Sequence, residues 1–205
     1  MNLDKWSRIF MSVCIILVLT ACYLIVTAYL SENIEPFFAL AVLGEEGMAE
    51  HYFPDDDPNI KVGEEVHWFL YLYNHMGEAK YVAVMMKLLN STMLAPNSTS
   101  CSPSTANLVF EVKHVLLDNE TWLYPFNWSL VEVNEERESI SIERLMINGE
   151  VFQIDVDAFH DYSFRVVLEL WLYDESSEDF IFGWSSGKEL HCAWNQIWFN
   201  ATSIK

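Results

Sequence analysis

Basic side chains are scarce in this sequence: 11 Lys and Arg stand against 30 Asp and Glu, a formal net charge of -19 at pH 7. Such a chain repels polyphosphate and anionic lipid headgroups, so nucleic acid is not an expected partner. Cysteine is also sparse, at four in 205 residues. The six His stand apart, at 51, 67, 75, 114, 160 and 191, with no H-E-x-x-H and no close Cys pairs, so no zinc site can be read off. Repeats, heptads and helix-length amphipathic segments are missing beyond residue 30. No constellation specifies a reaction, and neither enzymatic activity nor a cofactor is expected.

What the chain does have is one long apolar run. Residues 9–30 contain no charge, Pro or Gly, and at 1.5 Å per residue a helix of that length spans the roughly 30 Å hydrocarbon core of a bilayer. Lys5 and Arg8 precede it, while Glu32 and Glu35 follow. The positive-inside rule then leaves residues 1–8 as a cytoplasmic tail, makes 9–30 a transmembrane helix and sends 31–205 outside the cell. Two alternatives stay open. The run could be a cleaved secretory signal, although it is long for an h-region and no small-x-small site follows. Leu19-Thr20-Ala21-Cys22 resembles a bacterial lipobox, which would make Cys22 a lipidated N-terminus, although residues 23–30 stay apolar.

Five Asn-x-Ser/Thr sequons lie beyond the run, at Asn90, Asn97, Asn119, Asn127 and Asn200. Their number fits a glycosylated surface domain. Only Cys101 and Cys192 lie in the same part. In an oxidising compartment they have one intramolecular pairing, which would close a loop worth about 4–5 kcal/mol in the chain-entropy model. Cys101 sits in the Ser- and Pro-rich stretch 96–103, which is either tied down by that bond or mobile with a free thiol.

After the apolar run, short segments rich in aromatic and β-branched residues alternate with Gly, Pro and Asn. Strands are expected at 37–43, 65–73, 80–89, 107–117, 127–132, 139–147, 151–156, 162–173, 180–184 and 190–199. The clearest alternation puts Phe164, Val166, Leu168, Leu170 and Leu172 on one face with Arg165 and Glu169 on the other. Asn148-Gly149 is a type I′ hairpin signal, and residues 139–147 could instead form a short helix. The expected fold is all-β: an immunoglobulin-like antiparallel β-sandwich of about nine strands, with residues 91–105 as a long inter-strand loop.

Some groups invite a chemical reading and a plainer one. Gly183-Trp184-Ser185-Ser186-Gly187 fits the nucleophile-elbow string G-x-S-x-G, but Glu189 and His191 follow too closely to fold back as partners, so a Gly-bounded hairpin turn is expected. Asp155, Asp157, His160 and Asp161, and likewise Asp55-Asp56-Asp57, lack the spacing of a calcium loop and read as solvated turns. Among the Trp, most read as core, while those in 122–128 offer a contact patch for a partner or glycan.

Residues 36–52 carry Pro36-Phe37-Phe38-Ala39-Leu40-Ala41-Val42-Leu43-Gly44 and Gly47-Met48-Ala49-Glu50-His51-Tyr52, followed by Val62-Gly63-Glu64-Glu65 and Asn74-His75. This resembles the extracellular domain of an archaeal membrane-protein family known as domain of unknown function 1616, whose pattern runs roughly F-x-x-L-G-x-x-G-x-A-E-x-Y, V-G-E, then V-x-N-H. The match is best over 35–75 and looser over 164–174 and 197–200. Fuller members of that family carry several membrane helices, and the 91–105 loop looks like an insertion. The resemblance implies an archaeal envelope protein with a β-sandwich outside the membrane, and no activity. The expected role is a non-catalytic envelope module that contacts another envelope protein or a glycan; the alternatives are an accessory subunit of a membrane complex and an exported hydrolase.

Overall fold

The computed structural model describes residues 3–32, 35–159 and 163–203. It divides into a helical unit, Met1–Glu35, and a β unit, Pro36–Lys205. The helical unit is one helix, α1 (Leu3–Glu32), longer than the apolar run alone predicts. Its stretch Trp6–Thr27 has a mean hydropathy of 2.8 and is long and apolar enough to cross a membrane. The polar side chains inside that stretch turn inward on the backbone, as hydrocarbon demands. Ser12, Thr20 and Thr27 donate to the carbonyls of Arg8, Ile16 and Tyr23 at 3.0, 2.8 and 3.0 Å.

The β unit is a sandwich of two sheets. Strands β1 (Phe37–Leu43), β3 (Glu65–His75), β6 (Thr121–Glu135), β7 (Ser139–Ile147) and β8 (Glu150–Phe159) form the first sheet in the order β1-β3-β6-β7-β8. In the second, β2 (Asn59–Lys61), β13 (Trp194–Thr202), β9 (Ser163–Asp174), β4 (Lys80–Asn90) and β5 (Leu108–Leu116) run in the order β2-β13-β9-β4-β5, with β10 (Asp179–Phe182) also on β9. Strands β11 (Trp184–Ser186) and β12 (Glu189–His191) make a separate hairpin. All pairings are antiparallel except β2 on β13. This is the all-β, immunoglobulin-like architecture expected, with more and shorter strands than nine. The helix alternative for 139–147 is not taken: β7 pairs on both sides, with β6 and with β8. At the predicted hairpin, Asn148 and Gly149 take φ of 47° and 85°, the left-handed pair a type I′ turn requires.

The period-2 pattern explains the core. Val66, Trp68, Leu70 and Leu72 of β3 face Val82, Val84, Met86 and Leu88 of β4 and Phe164, Val166, Leu168 and Leu170 of β9 in one buried cluster. Aromatic rings bridge the layers: Trp68 meets Trp128 edge-on at 5.3 Å, Trp128 meets Phe199 at 5.0 Å, and Phe199 stacks on Phe164 at 5.9 Å. Trp128 therefore belongs to the core, 1% exposed, rather than to a contact patch. At one end of the sandwich the buried Asn74 amide donates to the carbonyls of Glu78, Leu116 and Leu117 at 2.9, 3.0 and 3.1 Å and accepts from the Met76 N–H. That side chain replaces the missing ladder bonds where the β3–β4 and β5–β6 turns meet.

Candidate interaction surface

The two sheets turn their outer faces to very different surroundings. On the second sheet, the outward positions of β4, β9 and β13 include Ala83, Lys87, Leu89, Arg165, Val167 and Glu169, all buried outside the main core. The cover is the strap of residues 91–107 between β4 and β5. Glu169, fully buried, accepts the Ser104 N–H at 2.7 Å and the Trp171 indole N–H at 3.0 Å, and pairs with Lys87 Nζ at 2.9 Å. Lys87 Nζ in turn donates to the Ser104 carbonyl at 2.5 Å and lies 5.8 Å from the centre of the Trp171 ring. Arg165 donates to Gln196 Oε1 at 2.9 Å and to the Met93 carbonyl, with its guanidinium 4.7 Å over the Trp198 ring. Burial pulls that guanidinium below its ordinary value, and among the described residues no carboxylate pairs with it. The Trp194 indole donates to Ser98 Oγ at 2.9 Å.

The strap is thus fastened at Met93, Ser98 and Ser104, which settles the expectation for 91–105: it is a packed cover. Cys101 and Cys192 meet at its centre. Both thiols donate to the Ser98 carbonyl, at 3.8 and 3.9 Å, and Cys101 is buried. Burial, then the contact with Cys101, raises the Cys192 thiol to about 12, so at neutral pH it carries no nucleophilic thiolate.

The first sheet is bare. Its outward positions pair Phe37 with His75, Ala39 with Tyr73, Ala41 with Tyr71 and Leu43 with Phe69 across β1 and β3, then Tyr71 with Leu123 and Phe69 with Pro125 across β3 and β6. Phe37 is 43% exposed and Leu123 48%, and the aromatics between them are half-buried. In a chain with 30 acids, the outward positions of β1 and β3 hold one carboxylate, Glu65, at the sheet's end. The turns around this face are acidic: Glu45 and Glu46 follow β1, Glu78 follows β3, and Asp118 and Glu120 precede β6. An uncharged aromatic field inside an acidic rim marks an association surface rather than solvated sheet.

No family model matches the sequence, and no characterised protein matches it either. Among solved structures, the chain is similar to the CARDB domain of the PF1109 protein from Pyrococcus furiosus, crystallised with di-metal ions, at 8% identity and a TM-score of 0.39 over 84% of this chain and 97% of that one. The C-terminal domain of wzt aligns at 4% identity and a TM-score of 0.36 over 83% and 80%, and a FixG-related protein from Vibrio parahaemolyticus at 9% and 0.32 over 80% and 95%. Likeness at this level carries no argument about ligands or activity.

The sequons separate by environment. Asn97 and Asn119 are exposed; Asn127 and Asn200 are half-buried on β6 and β13. Asn90 corrects the expectation, because it is buried and its amide Nδ2 donates to the Asp157 carbonyl at 2.7 Å, tying β4 to β8. A glycan on that nitrogen would break the tie, so the fold assigns Asn90 a structural role. Ser185 lies in the β11–β12 hairpin, with a strand on each side and no helix after it, which is the turn expected in place of an elbow. Asp155 and Asp157 are exposed on β8, while His160 and Asp161 lie outside the described residues.

In the other acidic turn, His51 Nδ1 binds both oxygens of Asp56, at 2.8 and 2.9 Å. The hydrogen bond and charge of Asp56 hold the exposed His51 above its ordinary value of 6.5. A raised folded pKa adds stability that is fully present below the unfolded value and is lost as pH rises through the folded one. The expected result is therefore that Asp56→Asn destabilises at pH 5 and is silent at pH 8, with the His51 ring titrating lower by NMR; equal loss at both pH values would contradict it.

Proposed function

We propose that this is a single-pass membrane protein of the cell envelope, related to the archaeal family it resembles. Its non-catalytic β-sandwich binds a second envelope protein through the outer face of the first sheet. The observation that carries this reading is the contrast between the two outer faces. The chain covers one with its own strap and leaves the other apolar, aromatic and nearly free of carboxylates in a strongly acidic molecule. The partner's chemistry follows from the rim. A second copy would bring Glu45, Glu46, Glu78, Asp118 and Glu120 against themselves, and anionic lipid is repelled for the same reason, so the occupant is a different protein with an apolar centre bordered by Lys and Arg.

The anchor supports a cytoplasmic N-terminus, because Lys5 and Arg8 precede the helix and only acids follow closely. The exposed Asn97 and Asn119 are the sequons best placed to carry glycans on an exported surface.

Cross-linked capture from cells that express the tagged full chain tests the reading. Tyr71→Glu and Leu123→Glu put charge on the bare face at positions that are not core, and each is expected to reduce recovery of the partner at least tenfold while shifting the melting temperature little. Val115→Glu, exposed on β5, serves as the control and should capture normally. Undiminished capture by both face variants would sink this assignment. Protease added to intact cells should remove a C-terminal tag and spare an N-terminal one; the reverse pattern would overturn the orientation.

A further inference from the structure

The geometry points to Cys101 and Cys192 as a disulfide pair that latches the strap of residues 91–107 over the outer face of the second sheet. The two residues are brought together from distant parts of the chain by a specific device. Gly183, at φ 92°, has no side chain, and the point where its first side-chain carbon would lie is 3.3 Å from Cys101 Cβ, 3.5 Å from Cys192 Cβ and 2.6 Å from the His191 carbonyl. The glycine leaves the space in which the two cysteine Cβ atoms and the β12 backbone converge. Both thiols already share one acceptor, the Ser98 carbonyl, so neither has a dedicated polar partner and each neighbours the other. Cys101 takes φ 44°, a left-handed turn conformation held between the Asn97–Ser102 bridge bonds, which points it out of the strap and under it.

The chemistry balances by exchange. One cysteine thiolate attacks a disulfide of the glutathione or thiol–disulfide oxidoreductase class and forms a mixed disulfide. The second thiolate then displaces the oxidant's remaining sulfur, so the Cys101–Cys192 bond forms, the oxidant leaves as two thiols and the two cysteine protons go to it. The bond closes the Ser98 fastening covalently, in the middle of a strap whose other ties at Met93 and Ser104 are hydrogen bonds to Arg165, Lys87 and Glu169. The strap cannot then lift from the buried Lys87–Glu169 pair without unfolding.

The proposal extends the exported orientation given above, and its test separates the two. Full-length protein with Cys14→Ser and Cys22→Ser, purified in detergent, is equilibrated with oxidised glutathione, denatured and alkylated. The expected result is no alkylatable thiol, two after reduction, one in either Cys101→Ser or Cys192→Ser, and a melting temperature about 10 °C lower when reduced. Amide exchange in 91–107 should rise on reduction while that of β3 and β6 stays unchanged. Two alkylatable thiols after oxidation, or a disulfide dimer as the main product, would overturn the pair. Alkylation in living cells reports on location instead: a pair that bridges in the purified protein but is found reduced in the cell overturns the exported orientation and leaves the pair assigned.

Discussion

Replacing Glu169 by Leu is expected to cost about 3–5 kcal/mol, the penalty for removing one member of a buried ion pair. The carboxylate is fully buried and serves three donors at once: Lys87 Nζ, the Ser104 N–H and the Trp171 indole. Without it the Lys87 ammonium, also buried, keeps only the Ser104 carbonyl, and two N–H groups lose their acceptor. For a chain of this size the melting temperature should fall by about 10 °C or more. Lys87→Met should cost a similar amount, because it strands the carboxylate instead. The double variant Lys87→Met/Glu169→Leu removes both charges together and should be more stable than either single variant, with a residual loss from the Ser104 and Trp171 N–H groups. Urea unfolding of the four proteins checks this. Simple addition of the two single losses would mean that the pair is solvated and that the strap does not cover it.

Why the chain keeps a charged pair there follows from the strap's composition. Residues 91–107 offer few apolar side chains to hold them down, and Leu94, the largest, is 80% exposed. Hydrophobic burial cannot fix their position on the sheet, so directional bonds do it: Ser104 answers Glu169 with its N–H and Lys87 with its carbonyl.

The sandwich was legible because its strongest signal is local. Alternation in β9 names its inner face residue by residue, and Asn148-Gly149 names its turn. Strands β2, β10, β11 and β12 were blurred or missed for the opposite reason. At three or four residues they carry too little pattern, and β2 exists only because β13 offers it an edge, with the Asn200 N–H donating to the Pro58 carbonyl at 2.8 Å. The strap looked soft since Ser, Thr, Pro and Asn mark turns, yet the residues that hold it down, Lys87, Arg165, Glu169 and Trp194, lie far away in the chain. Arg165 and Glu169 had already been placed on the outward face of β9; outward was taken as solvent, and a cover supplied by the chain itself was not visible from the strand.

The bare face had a signal that went unread. In β3 the inward Val66, Trp68, Leu70 and Leu72 alternate with Phe69, Tyr71 and Tyr73, so the strand is apolar at both parities. A strand with water on one side alternates with polar residues, whereas one covered on both sides does not. Continuous apolarity in β3 therefore already implied that something lies against its second face. The aromatic patch sought in 122–128 divides the same way: Phe126 and Trp128 point into the core, and Leu123 and Pro125 belong to the outward row.

Gly44→Ala is expected to be the most damaging small substitution in the chain, at about 4 kcal/mol. A methyl group there would lie 2.2 Å from the Glu50 carbonyl oxygen and 2.4 Å from that of His51, backbone atoms that cannot swing aside as a side-chain tip can. The 44–52 turn is closed by the Gly44 N–H to the Met48 carbonyl at 2.8 Å and the Gly47 N–H to the Gly44 carbonyl at 2.9 Å, and its last residue presents the Tyr52 carbonyl to the buried Trp68 indole at 2.5 Å. Pushing the turn outward both strains it and takes the acceptor from a core N–H, and the two costs add to about that figure. Gly47→Ala is the matched control. Its φ is 73° but nothing lies within 4 Å, so only the backbone preference is lost, at about 1 kcal/mol. Equal losses in the two variants would show that the turn can open freely. A larger loss at Gly44 would assign the L-G-x-x-G-x-A-E-x-Y stretch, which carries the family resemblance, to the scaffold that fixes Trp68 and the edge of the first sheet. What that resemblance marks is then the platform for the bare face, and the side chains that choose a partner are the outward ones beside it, Phe69, Tyr71 and Leu123.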